Sequence, residues 1–123
     1  MMKIIDENTI SINRGDTGVI HFSTYEEDGS LHTFQVNDVI RFSVKEKYSD
    51  SQPVLRKDIT VTEAETTSVD ITLSKEDTTI GTLIDRPKKY VYDIAINEDE
   101  TVIGYDEDGA KYFILNPEAS NDE

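Results

Sequence analysis

Cysteine and tryptophan are absent from the 123 residues, proline occurs three times, and only 12 residues are Lys or Arg. Without cysteine the chain has no disulfides and no thiolate chemistry, which fits a reducing compartment of synthesis. Twelve bases against 26 acids leave a net charge of −14, so phosphate backbones and anionic membrane surfaces are repelled rather than steered in. Neither nucleic acid nor membrane is an expected partner. Long apolar runs are missing too. Met1-Met2-Lys3-Ile4-Ile5-Asp6 turns acidic before a stretch of signal-peptide length develops, and no later run is long enough to span a bilayer. The expectation is a protein made in a cytoplasm and kept there, or released by lysis.

What the chain has instead is alternation. In Lys88 to Ile96, residues Tyr90, Tyr92, Ile94 and Ile96 share one parity and Val91, Asp93 and Ala95 the other, the period of a half-buried strand. Val39 to Lys45 is cleaner still, with Ile40, Phe42 and Val44 inward and Arg41, Ser43 and Lys45 toward water. Thr9 to Ile12, Gly18 to Tyr25, Leu55 to Val61, Thr67 to Leu73, Thr101 to Tyr105 and Lys111 to Leu115 read as further strands, and Leu31 to Phe34 as a short returning one. Asp28-Gly29 and Asp108-Gly109 supply the positive backbone angles of tight hairpins. Ser74 caps a single helical turn. Disorder, which such acidity invites, is at odds with periodic Ile, Val, Tyr and Phe.

Short strands with turn signals roughly every 8–12 residues predict an all-β, immunoglobulin-like antiparallel β-sandwich. One domain spans residues 1–117 and residues 118–123 form a flexible acidic tail. The predicted core is Ile20, Phe22, Ile40, Phe42, Val44, Ile59, Val69, Ile71, Leu73, Tyr90, Tyr92, Ile94 and Phe113. A buried tyrosine needs a partner for its hydroxyl, so Tyr90 or Tyr92 is expected to bond the backbone between Asp77 and Gly81. Lys57, on the inward parity of its strand, marks an edge. That edge, or the terminal strand Lys111 to Leu115, is where another copy would pair.

No constellation for catalysis stands out. His21 and His32 lack metal-ligand spacing and read as surface residues. There is no Gly-x-Ser-x-Gly elbow and no phosphate-binding glycine loop. No catalytic residue, cofactor or metal ligand is assigned, and no enzyme activity is expected. Arg14-Gly15-Asp16 matches an adhesion tripeptide but reads as a turn between strands. If strands alternate up and down, the loops carrying Glu26, Glu27, Asp28, Glu63, Glu65, Glu98, Asp99 and Glu100 fall at one end. Those carboxylates are either a Ca2+ site without the usual ligand spacing, a patch for a basic partner, or a solvated surface.

With the strands placed, a larger likeness emerges. The succession Arg14-Gly15-Asp16-Thr17, Asp28-Gly29, Asp38-Val39-Ile40-Arg41-Phe42-Ser43-Val44, Leu73-Ser74-Lys75-Glu76-Asp77-Thr78 and Tyr90-Val91-Tyr92-Asp93-Ile94 resembles small β-sandwich modules of phage and prophage virions of Gram-positive bacteria. The named relative is the N-terminal domain of the phage baseplate upper protein, and the likeness spans about Asn13 to Pro117. It implies a non-enzymatic structural part of a virion, in the tail or baseplate, made in the host bacterial cytoplasm. Its partners would be other virion proteins or copies of itself. The related module continues into a helical or fibre-forming extension, whereas this sequence stops at Glu123, so a stand-alone accessory or decoration protein is also expected. The alternative is a carbohydrate-binding sandwich stacking sugars on Tyr25, Tyr48 and Tyr105, against which the missing tryptophan counts.

Overall fold

Strands form where the period of two predicts them. The computed structural model describes residues 3–4, 9–26, 28–82, 84–97, 100–104 and 109–118. In chain order these give β1 (Lys3–Ile4), β2 (Ile10–Asn13), β3 (Gly18–Phe22), β4 (Val39–Lys45), β5 (Leu55–Thr60), β6 (Val69–Leu73), α1 (Lys75–Thr78), β7 (Lys88–Ile96), β8 (Glu100–Ile103) and β9 (Tyr112–Asn116). The chain is all-β, with the single turn α1 as the one helix among the described residues.

The larger sheet runs β1-β2-β9-β7-β4-β5, with β8 beside β7, and a smaller sheet pairs β3 with β6. Register explains the core. Phe42 sits opposite Ile94 and Val44 opposite Tyr92, Ile40 opposite Ile59, Tyr90 opposite Phe113 and Ile20 opposite Ile71. Side chains of one parity therefore line one face of each sheet, and the two faces share a single apolar cluster. The Phe42 ring lies 5.6 Å from that of Tyr92 and 6.1 Å from that of Phe113.

Four expectations are corrected. The larger sheet is not purely antiparallel, because β2 lies parallel to β9, with Ile10 opposite Phe113 and Leu115 opposite Ile12. For the same reason the terminal strand is no edge: β9 is paired with β2 on one side and β7 on the other, so it has no free backbone to offer another copy. Leu31 to Phe34 is not a strand but two isolated bridges, Tyr25 with Leu31 and Phe34 with Thr66. Ile59 is half-buried, packing against the core from the outermost strand β5 rather than within it.

The other twelve predicted core residues are buried, and Ile10, Ile12, Phe34, Val61, Ile80 and Leu115 join them. Beyond the predicted boundary at Pro117, Glu118 still contacts the fold through an ion pair with Arg14. Strands β8 and β9 follow one another along the same edge of β7, one against residues 94–96 and the other against residues 88–91.

Candidate functional site

Ends and edges position the polar side chains singled out by sequence, and most of those side chains are engaged within the fold. Arg14 stands in the turn after β2, where Gly15 adopts φ +89°, a conformation that favours glycine. The turn places the guanidinium against the chain that follows α1. Arg14 Nε donates to the Ile80 carbonyl at 3.2 Å and Nη2 to the Gly81 carbonyl at 3.0 Å, while Nη1 meets Glu118 Oε1 at 2.6 Å. Its side chain is only 10% exposed. Gly15 N donates to Thr78 Oγ1, and that buried hydroxyl donates to the Asp16 carbonyl. The adhesion-like tripeptide is thus a clamp between the β2–β3 turn and α1, its arginine turned into the protein.

The two histidines are separate. His21 Nδ1 lies 2.7 Å from Asp70 Oδ1, the residue opposite it across β3 and β6, with both side chains exposed. His32 is partly covered, its ring edge-on to Phe34 at 5.0 Å and its Nδ1 against Glu26 Oε2. Nothing brings them together.

Among the tyrosines proposed for sugar stacking, Tyr25 is 66% exposed, Tyr105 lies outside the described residues, and Tyr48 has another role. Tyr48 Oη donates to the Tyr92 carbonyl at 2.7 Å and accepts from Lys111 N at 3.1 Å. Burial holds its phenol above the ordinary range, against the opposing pull of its bond to Lys111. Tyr48 thus makes a hydroxyl-to-backbone bond of the expected kind, but to Tyr92 and Lys111 rather than to the connection between Asp77 and Gly81. Tyr90 does reach the predicted connection, its hydroxyl 3.5 Å from where a Cβ on Gly81 would stand.

The outward face of β4 and β7 is less wet than its alternation predicts. Ser43 is buried, and opposite it Asp93 is half-buried. Burial raises the Asp93 carboxyl, while the Lys45 and Arg41 charges pull it back down. Beside them Arg41 and Arg56 both contact Asp58, Arg56 at 2.9 Å and Arg41 at 3.3 Å.

Ser74 caps α1 as predicted, through a reciprocal box with Asp77: Ser74 N donates to Asp77 Oδ2 at 2.8 Å and Asp77 N to Ser74 Oγ at 3.2 Å. Lys57 Nζ adds a second contact to that carboxylate at 2.9 Å.

Backbone bonds gather the acidic connections at one end. Asn97 N donates to the Val39 carbonyl, Asn37 N to the Val61 carbonyl and Phe34 N to the Thr66 carbonyl, each at 2.8 Å. That end holds Glu26, Asp28, Glu63 and Glu65; Glu27, Glu98 and Asp99 lie outside the described residues, as does the side chain of Glu100. Asp28 is bonded to Ser30 and Glu26 to His32. Among the described residues no group of three or more His, Asp or Glu is placed to hold a metal ion, and no helix is long and apolar enough to cross a membrane.

Sequence reasoning did not foresee the cleft that opens at the opposite end. It has a volume of about 420 Å³ and is lined by Val54, Leu55, Ile80 and Tyr90 together with three carboxylates, Glu46, Glu76 and Asp77, and one cation, Lys88. Lys88 Nζ lies 3.7 Å from Glu46 and 5.1 Å from the centre of the Tyr90 ring. Ile80 belongs to an irregular connection without periodicity, so no pattern in the sequence announces this wall. Comparison with family models, curated proteins and solved structures found no match for the chain.

Proposed function

We propose that this chain is a non-enzymatic structural and assembly module of a phage or prophage virion, of tail or baseplate type, working through protein–protein contacts. With that reading goes an immunoglobulin-like sandwich, in which the β3–β6 sheet faces the larger one and the first long strand runs parallel to the last. The strand order β2-β9-β7-β4-β5 opposite β3-β6 supports it. The observation that carries the functional part is where the buried polar groups go: Arg14, Tyr48, Asp77 and Thr78 are committed to holding turns and strands, while the large apolar side chains Tyr25, Leu31 and Val36 stand in water. Such a surface suits contact with proteins more than chemistry on a small substrate.

The test is fractionation. Particles from a lysed host culture are banded by density and probed for the chain. The reading expects it to band with the particles; a chain found only in the soluble fraction overturns it.

A further inference from the structure

The larger sheet ends at β5, and among the described residues no strand pairs with its far side. The ladder fixes which backbone groups face that side. Val61 N donates to the Asp38 carbonyl and Asn97 N to the Val39 carbonyl, so along β4 the even-numbered residues bond β5 and the odd-numbered ones bond β7. Lys57 and Ile59 are therefore bonded to β4, whereas Asp58 and Thr60, both exposed, turn their amides and carbonyls away from it. Such an edge is a template for one more strand.

Two recesses flank this edge. The cleft of about 420 Å³ meets β5 at Leu55, and a smaller one of about 150 Å³ meets it at Ile59 and Thr60 and is bounded on its other side by Ser68 and Val69. Lys57, joined to Asp77, lies between them. Leu55 and Ile59 share the inward parity four residues apart, about 13 Å along a strand, so an added strand presents its own positions i and i+4 to the two recesses.

Their chemistry differs. In the larger, Val54, Leu55, Ile80 and Tyr90 form an apolar surface, and Glu46, Glu76 and Asp77 outnumber Lys88. Lys88 is engaged by Glu46 and the Tyr90 ring, and Asp77 by Lys57 and Ser74, which leaves the Glu76 charge in excess. An apolar wall ending in a carboxylate suits a lysine or arginine, its methylene stem on the wall and its cation at Glu76. The smaller recess is lined by the hydroxyl residues Thr60, Thr62, Thr66 and Ser68 and by Glu63, with no cation, and has room for one short side chain.

We propose that β5 is the docking edge for an extended segment of a different, basic protein, which joins the larger sheet as its next strand and sets a lysine or arginine in the Leu55 cleft and a valine or threonine beside Ile59. A second copy fits worse. Each copy carries a net charge of −14, and two-fold pairing of β5 about its middle sets Lys57 opposite Lys57 or Asp58 opposite Asp58. The inference rests on the assembly reading above and names the chemistry of the partner.

The probe is the peptide acetyl-Thr-Lys-Thr-Ser-Thr-Val-Thr-amide, used also in reversed order because either strand direction fits the edge. Titrated into the isotope-labelled protein and followed by NMR, one order is expected to give saturable shifts at the Asp58 and Thr60 amides. Exchanging the lysine of the peptide for glutamate, or making Glu76→Gln in the protein, is expected to weaken binding at least about fivefold, the worth of one exposed ion pair. Thr60→Pro removes an outward amide without touching the bonds to β4, and is expected to weaken binding by about as much. Circular dichroism checks its fold, and the peptide and Glu76→Gln comparisons stand without it. Absence of saturable shifts with both orders up to several millimolar overturns the proposal, as do equal affinities for the lysine and glutamate peptides, shifts that avoid β5, or a folded Thr60→Pro protein that binds like wild type. Shifts at β5 that grow with protein concentration alone identify a second copy as the occupant and overturn it too. Peptide binding reads this contact and particle banding reads the assembly role, so failure of one is told apart from failure of the other.

Discussion

Lys57 Nζ on β5 lies 2.9 Å from Asp77 Oδ2 on α1, tying the outermost strand of the larger sheet to the turn that follows the smaller one. The same carboxylate closes the capping box with Ser74, so two parts of the fold lean on one side chain. Asp77→Ala is expected to cost about 1–2 kcal/mol, most of it the lost acceptor for the Ser74 amide and the rest a partly screened ion pair, while Ser74 still caps the helix. Lys57→Met is expected to stay within about 1 kcal/mol of wild type, since an apolar side chain of similar length replaces a half-covered charge. It should nevertheless aggregate faster, because it strips an edge strand of its inward charge. Denaturant titration measures the first two effects and light scattering the third; a Lys57→Met protein as soluble as wild type contradicts the edge argument.

Carboxylates shift in both directions here, and the signs can be separated. Hydrogen bonds from Arg56 and then Arg41 hold Asp58 below the ordinary carboxyl range. Asp77 is pushed up by burial yet ends below that range because of the Ser74 amide and Lys57. Both stabilise the fold above the unfolded carboxyl pKa, near about 4, and lose that contribution as pH falls through their folded values. Asp93 is raised by burial, so its stabilising effect belongs to low pH and is lost as pH rises through its folded pKa. Asp93→Asn is therefore expected to be more stable than wild type at pH 7, by less than about 1 kcal/mol for a half-exposed group. The gap should close as pH falls through the carboxyl range. A gap that does not change with pH rules out this titration as its cause.

Tyr48 connects residues far apart in sequence through one oxygen, donating to the Tyr92 carbonyl and accepting from Lys111 N. Tyr48→Phe keeps the ring and removes both bonds, for an expected loss of about 1–2 kcal/mol. Amide exchange at Lys111 should accelerate more than at Phe113, which is held within the sheet. Equal protection at Lys111 in the two proteins argues that the hydroxyl carries no weight.

Arg14 spreads three contacts over two carbonyls and a carboxylate. Lysine cannot reproduce that planar fork, so Arg14→Lys is expected to destabilise by roughly 1–3 kcal/mol despite keeping the charge. Thermal melts of the two proteins check it. Indistinguishable midpoints mean that the clamp between the β2–β3 turn and the Ile80 region holds without the guanidinium.

Long alternating strands were legible from sequence because each residue reports its own face. Val39–Lys45, Val69–Leu73 and Lys88–Ile96 form where the pattern placed them, with Phe42, Ile71 and Ile94 buried. What escaped is non-local. The four residues Ile10–Asn13 say nothing of lying parallel to β9, which is decided by the core needing cover beyond Phe113 and Leu115. Phe34 and Ile80 are buried from irregular connections, where no period exists to read. Tyr48 was noticed as an aromatic near a strand end, but its hydroxyl acts across gaps of 44 and 63 residues. The acidic end could be inferred from chain direction; the cleft opposite it could not, since its lining comes from four separate parts of the chain.

The central claim, that the chain is a fixed component of a virion, is tested most directly by quantitative mass spectrometry of density-banded particles before and after a high-salt wash. The account predicts a constant ratio of this chain to the major particle protein across preparations, retained through the wash. A ratio that varies from one preparation to the next, or falls to background on washing, contradicts it.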